Sequence, residues 1–213
     1  MRALRGDSSM NHIAAVVATA LFVGAGTGAL SGPSDTVLND VANPMISGQA
    51  MLVNQTIADN LAKSPDHTLF YAAIQQTGLT DVLKGKGPFT VFAPNDQAFA
   101  TMPASKSGAL FAKDKAMLAK TVRYLVVRGR YDSPELLKKI SDDGGITRLK
   151  TLSGGVITAA MNGPTNIVLT DETGVQADIT IYDIYQSNGV MMVVDEVMTP
   201  DLGEHRLAGL GSF

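Results

Sequence analysis

The 213-residue chain contains no cysteine and no tryptophan. Without cysteine there is no disulfide framework, no thiolate zinc site, no thiol nucleophile and no lipid-modified cysteine. The absence leaves the redox compartment open, since reducing and oxidising compartments both tolerate such a chain. Histidine is scarce, at His12, His67 and His205 only, and these three show no metal-ligand spacing. No long Pro, Ser or Gln tract occurs, which sets aside collagen-like, mucin-like and wholly disordered readings. Only 6% of residues are aromatic and the net charge is -3, so neither a basic nor a stacking signature for nucleic acid is present. With 45% hydrophobic residues, the chain can form one sizeable domain or two small ones, at roughly 100–200 residues per domain.

The stretch Ile13 to Ala29 carries no charge, ends in small residues and follows Arg2 and Arg5. It predicts a secretory signal over residues 1–29, because its strongly apolar part, Ile13 to Val23, is shorter than the ~20 residues of a membrane-spanning helix. The mature chain is therefore expected to be secreted, periplasmic or at the cell surface. Arg5-Gly6-Asp7 would leave with the signal. Gly24 to Ala29 loosely fits a dinucleotide fingerprint, but the stretch around Pro33 offers no helix to a phosphate. Residues 30–49 read as a linker.

Beyond the linker, Asn54 is placed to cap a helix carrying Ile57 and Leu61, and Asp66 to cap a second with Leu69, Phe70, Ala73 and Ile74. Gly78 stops that helix, Leu79 to Leu83 adds a turn, and Gly85-Lys86-Gly87-Pro88 breaks the chain before a buried strand, Phe89 to Ala93. Asn95 and Asp96 read as caps of a turn that buries Phe99. From Asp114 to Tyr124, Met117, Leu118 and Val122 recur at helical spacing opposite Lys115, Lys120 and Arg123. Pro134 opens a further helix through Ile140, which Gly144-Gly145 closes. From Ile146 the period changes to two, giving about five strands separated by Gly- and Asn-rich turns. Helices followed by a meander predict one α+β domain over residues 50–202, with a tail at 203–213.

FTVFAPNDQAF at Phe89 to Phe99 resembles the first conserved box of fasciclin domains, and SNGVMMVVDEVMTP at Ser187 to Pro200 resembles the second. Between them, RYLVVRGRYDS at Arg123 to Ser133 is similar to the family's central Tyr-His segment, and the helices after Met51 match the usual opening. The resemblance implies a wedge-shaped β sandwich with several short helices packed in the N-terminal half. It implies a noncatalytic adhesion or recognition module without cofactor or metal, whose partner is a cell-surface or matrix protein. In the first box Phe89, Val91, Phe92 and Phe99 read as core, Pro94 as the end of the strand and Asn95 or Asp96 as caps. Asn188, Gly189 and Asp195 are the structural residues of the second box.

Two departures stand out. Leu125 follows Tyr124 where the family has histidine, and Met192 stands where the second box often has one. Both exchange an imidazole for an aliphatic side chain of comparable bulk, so the core can close without an unpaired polar group. In animal members an Asp-Ile pair before the second box and the Tyr-His segment are associated with integrin binding. Carried over residue by residue, this offers Asp183, Ile184, Tyr124, Leu125 and Tyr131 as partner-binding candidates, with Arg128 and Arg130 beside them. The alternative is that Asp183, in an alternating strand, faces solvent or satisfies a turn.

Charge is segregated: residues 84–150 hold 13 Lys and Arg against 6 Asp and Glu, and residues 151–213 hold 1 against 8. Such a dipole steers an oppositely charged partner, and Lys115, Lys120, Arg123, Arg128 and Arg130 suit an acidic glycan or a peripheral contact with an anionic envelope surface. No nucleophile-elbow glycines surround a serine. Asp142-Asp143 and Asp171-Glu172 are loop carboxylates, so a paired-acid hydrolase rests on their presence alone. The other reading is a periplasmic protein that binds a small ligand or lipid on a Met-rich apolar surface at Met191, Met192 and Met198. The chain is expected to be a monomer.

Overall fold

The computed structural model describes residues 43–103 and 115–201, all within one unit of the chain. The apolar leader, residues 30–42 of the linker, Asp114 and the tail lie outside the described residues. The last residues expected to be linker instead form a hairpin. Met45–Ile46 (β1) pairs antiparallel with Gln49–Ala50 (β2) around Ser47 and Gly48, whose φ values of 45° and 80° suit the tightest hairpin turn. Just before it, Asn43 pairs with the backbone of Tyr185 in both directions, donating to its carbonyl at 2.6 Å and accepting its amide at 2.8 Å.

Six helices are described: α1 (Ile57–Leu61), α2 (Thr68–Gln76), α3 (Thr80–Lys84), α4 (Asp96–Thr101), α5 (Lys115–Tyr124) and α6 (Ser133–Asp142). Their positions follow the apolar periodicity, but two caps do not fall where the sequence put them. Thr56 rather than Asn54 caps α1, its hydroxyl accepting from the Asp59 amide at 3.3 Å. Asp66 does not cap α2; the Leu69 amide donates instead to Asp96 Oδ1 at 2.9 Å. Asp96 is itself the first residue of α4, whose own cap is Asn95, accepting from the Ala98 amide at 2.8 Å. Capping preference says that an Asx oxygen will serve a free helix-start amide, not whose.

The strands β3 (Phe89–Pro94), β4 (Val126–Arg128), β5 (Ile146–Lys150), β6 (Val156–Asn162), β7 (Asn166–Thr170), β8 (Gln176–Gln186) and β9 (Gly189–Val194) form one sheet in the order β4-β3-β9-β8-β7-β6-β5. All neighbours are antiparallel except β3 and β9, which run parallel. Val127 bridges to Thr151, just past β5, so the sheet nearly closes on itself. Every residue of β3 and of β9 is buried. Strands covered on both faces read as unbroken apolar runs, which explains FTVFAP and GVMMVV.

The sandwich is realised through β8. Its first residues pair with β7 and the rest with β9, with register slips between Ile179 and Ile181 and between Ile181 and Ile184. Such bulges bend a strand and let it serve two layers. Asp183, at φ 57°, sits in the second slip, so the alternation read from Ile179 to Tyr185 changes phase there and Ile184 becomes fully buried. Phe70, Phe92, Tyr124, Leu125 and Met192 share the core. Met191, Met192 and Met198 are each 0% exposed, which corrects the reading of a Met-rich binding surface: these side chains fill the interior.

Candidate functional site

The box residues act as joints. Asn188, in the β8–β9 turn, accepts the Ile57 amide on Oδ1 at 3.0 Å and donates through Nδ2 to the carbonyls of Leu83 at 2.7 Å and Gly85 at 3.0 Å. One carboxamide therefore closes the start of α1 and the end of α3. Gly189 follows it, and a Cβ there would stand 2.0 Å from the Phe89 carbonyl oxygen. The parallel contact of β9 with β3 thus needs glycine. Asp195 accepts the Asp178 amide at 2.8 Å and ties the end of β9 to β8.

The loop carboxylates have structural duties. Buried Asp171 accepts the amides of Thr173 at 2.8 Å and Val175 at 2.9 Å on Oδ1, and the amide of Thr199 at 2.8 Å on Oδ2. Glu172 accepts the amides of Val156 at 2.9 Å and Asp201 at 3.0 Å. Its own amide donates at 3.1 Å to the hydroxyl of Tyr124, which in turn donates to the Val156 carbonyl at 2.7 Å. Burial pushes the Tyr124 phenol well above its ordinary value, and the charges of Glu172 and Asp171 push the same way. Carboxylates used up by backbone amides are poorly placed as a general acid and nucleophile.

The partner-binding candidates divide into two groups. Tyr124, Leu125 and Ile184 are at most 1% exposed, so a partner docking on the folded surface would not touch them. Asp183 is half-buried and accepts both the amide of Ser133, at 2.7 Å, and the Ser133 hydroxyl. Arg128, exposed in β4 opposite Phe89, and Arg130 remain at the surface. The Arg130 guanidinium lies 4.7 Å from the centre of the Tyr185 ring and 3.3 Å from Asp132. Tyr131 is half-buried, its amide donating to Thr90 Oγ1 at 2.8 Å, and that hydroxyl donates to the Gly129 carbonyl at 2.8 Å. The segment Arg128–Ser133 and the β8 bulge therefore meet, and they present Arg128, Arg130 and Tyr185 rather than the Asp-Ile pair.

Sequence reasoning passed over a cavity of about 480 Å³ beside this surface, lined by Lys84, Lys86, Arg130, Gln186, Asn188 and Thr56 among others. Lys86 reads from sequence only as part of a chain break, and no sequence motif singles out Gln186. Gln186 is 7% exposed, and neither atom of its side-chain amide has a hydrogen-bond partner.

The family description "Fasciclin domain" matches residues 65–200. The chain is 29% identical over 192 residues to Protein sll1483 of Synechocystis sp., covering 89% of this chain and 96% of that protein. It is 30% identical over 145 residues to transforming growth factor-beta-induced protein ig-h3 of Sus scrofa, covering 68% of this chain but 19% of that protein. Among solved structures, a FAS1 domain pair from the insect cell adhesion molecule fasciclin I aligns with a TM-score of 0.62 at 17% identity, over 70% of this chain and 52% of that one. Likeness at that identity speaks for the fold.

Proposed function

Because the chain belongs to the fasciclin domain family, we propose that it is an exported, noncatalytic recognition module that binds a cell-surface or matrix partner. The observation that carries this reading is the meeting of the Arg128–Ser133 segment with β8, where Arg130 is held over Tyr185 at 4.7 Å and beside Asp132 at 3.3 Å. A cation fixed in this way loses little freedom on binding, so the surface suits an acidic partner. The segregated positive charge of residues 84–150 adds long-range steering to the same side of the argument. The apolar leader supports export, and among the described residues no helix is long and apolar enough to cross a membrane.

The test is binding of the fluorescently labelled chain to the producing cells, to animal cells and to a glycan panel. Saturable binding that falls about tenfold, or 1.4 kcal/mol, in Arg128→Ala/Arg130→Ala is expected. A folded chain that binds saturably to none of these would overturn the reading.

A further inference from the structure

The sheet is left open along one side of β5. Thr151, just past that strand, donates its amide to the Gly155 carbonyl at 2.9 Å, on the β6 side, while the amide of Leu152 points the other way and donates to Val126 of β4 at 2.7 Å. Antiparallel strands alternate between residues that bond to a neighbour and residues that face away from it. Thr147 and Leu149 therefore bond toward β6, and the backbone groups of Ile146, Arg148 and Lys150 face the same side as Leu152. On that side β4 ends at Arg128, and no strand pairs with Ile146 or Arg148 among the described residues. The strand is firmly placed from behind. Thr147 and Leu149 are buried, and the Thr147 hydroxyl donates to Asp143, just after α6, at 2.6 Å. The open edge is thus held in strand geometry before any partner arrives.

Charge says what kind of strand fits there. The bridge between Val127 and Thr151 sets Arg128 opposite Lys150, and Arg148 lies two residues away on the same face of β5. All three are exposed, and none has an ion pair among the described residues. Like charges directly opposite one another destabilise a sheet, and carboxylates laid along the edge would relieve the repulsion. The same cations turn away a second copy, since antiparallel self-pairing centred on Arg148 would set that residue against its own equivalent. Ile146, 59% exposed, adds an aliphatic side chain for a cross-strand contact. A glycan or a free anion would meet the cations but has no row of N–H and C=O groups at strand spacing for the open backbone. An extended polypeptide supplies both. We infer that β5 takes up an extended acidic segment of a partner protein, which adds to the sheet as a further strand and sets its carboxylates beside Arg128, Arg148 and Lys150. The inference rests on the recognition reading above and names the kind of partner and how it is held.

The experiment titrates the full chain with a blocked peptide of about seven residues, an ordinary strand length, that alternates glutamate with threonine. Its controls are the same peptide with lysine for glutamate, the same peptide N-methylated throughout, which keeps the charge but removes the donors, and a sulfated disaccharide. Calorimetry reads binding, and amide exchange in NMR reads the place. The acidic peptide should bind, weaken as salt is raised, and slow exchange at Ile146 and Arg148 at least tenfold. Each control should bind at least tenfold more weakly. Arg148→Glu, at an exposed position where folding is not at risk, should weaken the acidic peptide at least tenfold, whereas Lys63→Glu, beside Gln55, should leave it unchanged. No binding of the acidic peptide, unchanged binding in Arg148→Glu, equal binding of the N-methylated peptide or the disaccharide, or slowed exchange only at amides away from β5 would each overturn the inference. Cell binding that persists in Arg148→Glu and is not competed by the acidic peptide would remove the β5 proposal and leave the recognition reading standing. Peptide pairing at β5 without any cell binding would do the reverse.

Discussion

The carboxylate of Asp183 receives the backbone amide of Ser133 at 2.7 Å, and the Ser133 hydroxyl donates to its second oxygen. Ser133 is the first residue of α6, where free amides and the helix dipole favour a negative charge. Asp183 reaches it from the bulge in β8, at φ 57°. The acid that family resemblance offers to a partner is therefore engaged in joining β8 to α6, with Ile184 buried behind it.

Replacing Asp183 should accordingly cost stability before it costs binding. Asp183→Ala is expected to lose about 2 kcal/mol, the upper range for a helix-start carboxylate. Asp183→Asn should lose less, since Asn tolerates the left-handed conformation and keeps one acceptor. Urea unfolding near pH 7 measures both. Full stability in Asp183→Ala combined with lost cell binding would instead make Asp183 a direct contact.

A second prediction concerns Tyr124 and Gly155. Tyr124→Phe strips a partner from the Val156 carbonyl at 2.7 Å and from the Glu172 amide at 3.1 Å, an expected cost of about 1–3 kcal/mol. Gly155→Ala would put a Cβ 2.8 Å from Tyr124 Cε2 and 3.0 Å from each Glu172 carboxylate oxygen, and overpacking of this kind costs about 1–3 kcal/mol. Because both changes strike one network, the double variant should lose less than the two separate losses combined. Burial raises the Tyr124 phenol above its ordinary 10.0 in the folded chain. Its contribution is thus complete below pH 10 and is lost as the pH climbs further. Ultraviolet titration should show Tyr124 ionising only with unfolding.

What the sequence makes legible is local. The unbroken apolar runs of β3 and β9, the stop at Gly78 and the start at Pro134 each follow from a few adjacent residues, and each lies where the pattern puts it. What stays hidden is the identity of a distant partner. Asp96 serves Leu69 across 27 residues, Asn188 serves Ile57 across 131, and Asn43 serves Tyr185 across 142. Nothing in a side chain's type announces which far amide it will meet. The phase change at Asp183 is hidden for the same reason, because a bulge is set by the neighbouring strand and not by the alternation itself. Gln186 and Lys86 are brought to one cavity only when the β8–β9 turn closes on the loop after α3.

His67 supplies a pH prediction. It is fully buried, with Nδ1 paired to Ser64 Oγ at 2.7 Å and the Ala93 backbone close to the ring. Burial lowers its pKa below the ordinary 6.5, and the nearby charges of Asp66 and Asp96 and a backbone hydrogen bond to Ala93 oppose that shift only in part. The folded state therefore holds the neutral ring, and the unfolded chain takes up the proton first. Stability from this group is complete above pH 6.5 and falls as the pH drops below it, by at most about 1.4 kcal/mol per pH unit for one proton. Urea unfolding between pH 7.5 and 5 should show that slope, and His67→Gln should flatten it. Equal slopes in the two chains would refute the assignment.

Asn188 gives the sharpest separation between a packing role and a hydrogen-bonding one. Its Oδ1 accepts the Ile57 amide at 3.0 Å, while Nδ2 donates to Leu83 and Gly85 at 2.7 and 3.0 Å. Asn188→Ala removes all three bonds and is expected to cost about 1–3 kcal/mol. Asn188→Asp is nearly the same size and keeps the acceptor for Ile57, yet it turns the donor into an anionic oxygen facing two carbonyls. If shape decided the matter, Asp would be the milder change; since the donor decides it, Asp should cost at least as much as Ala. Urea unfolding of both variants checks this, and an Asp variant as stable as the parent chain would refute the role of Nδ2.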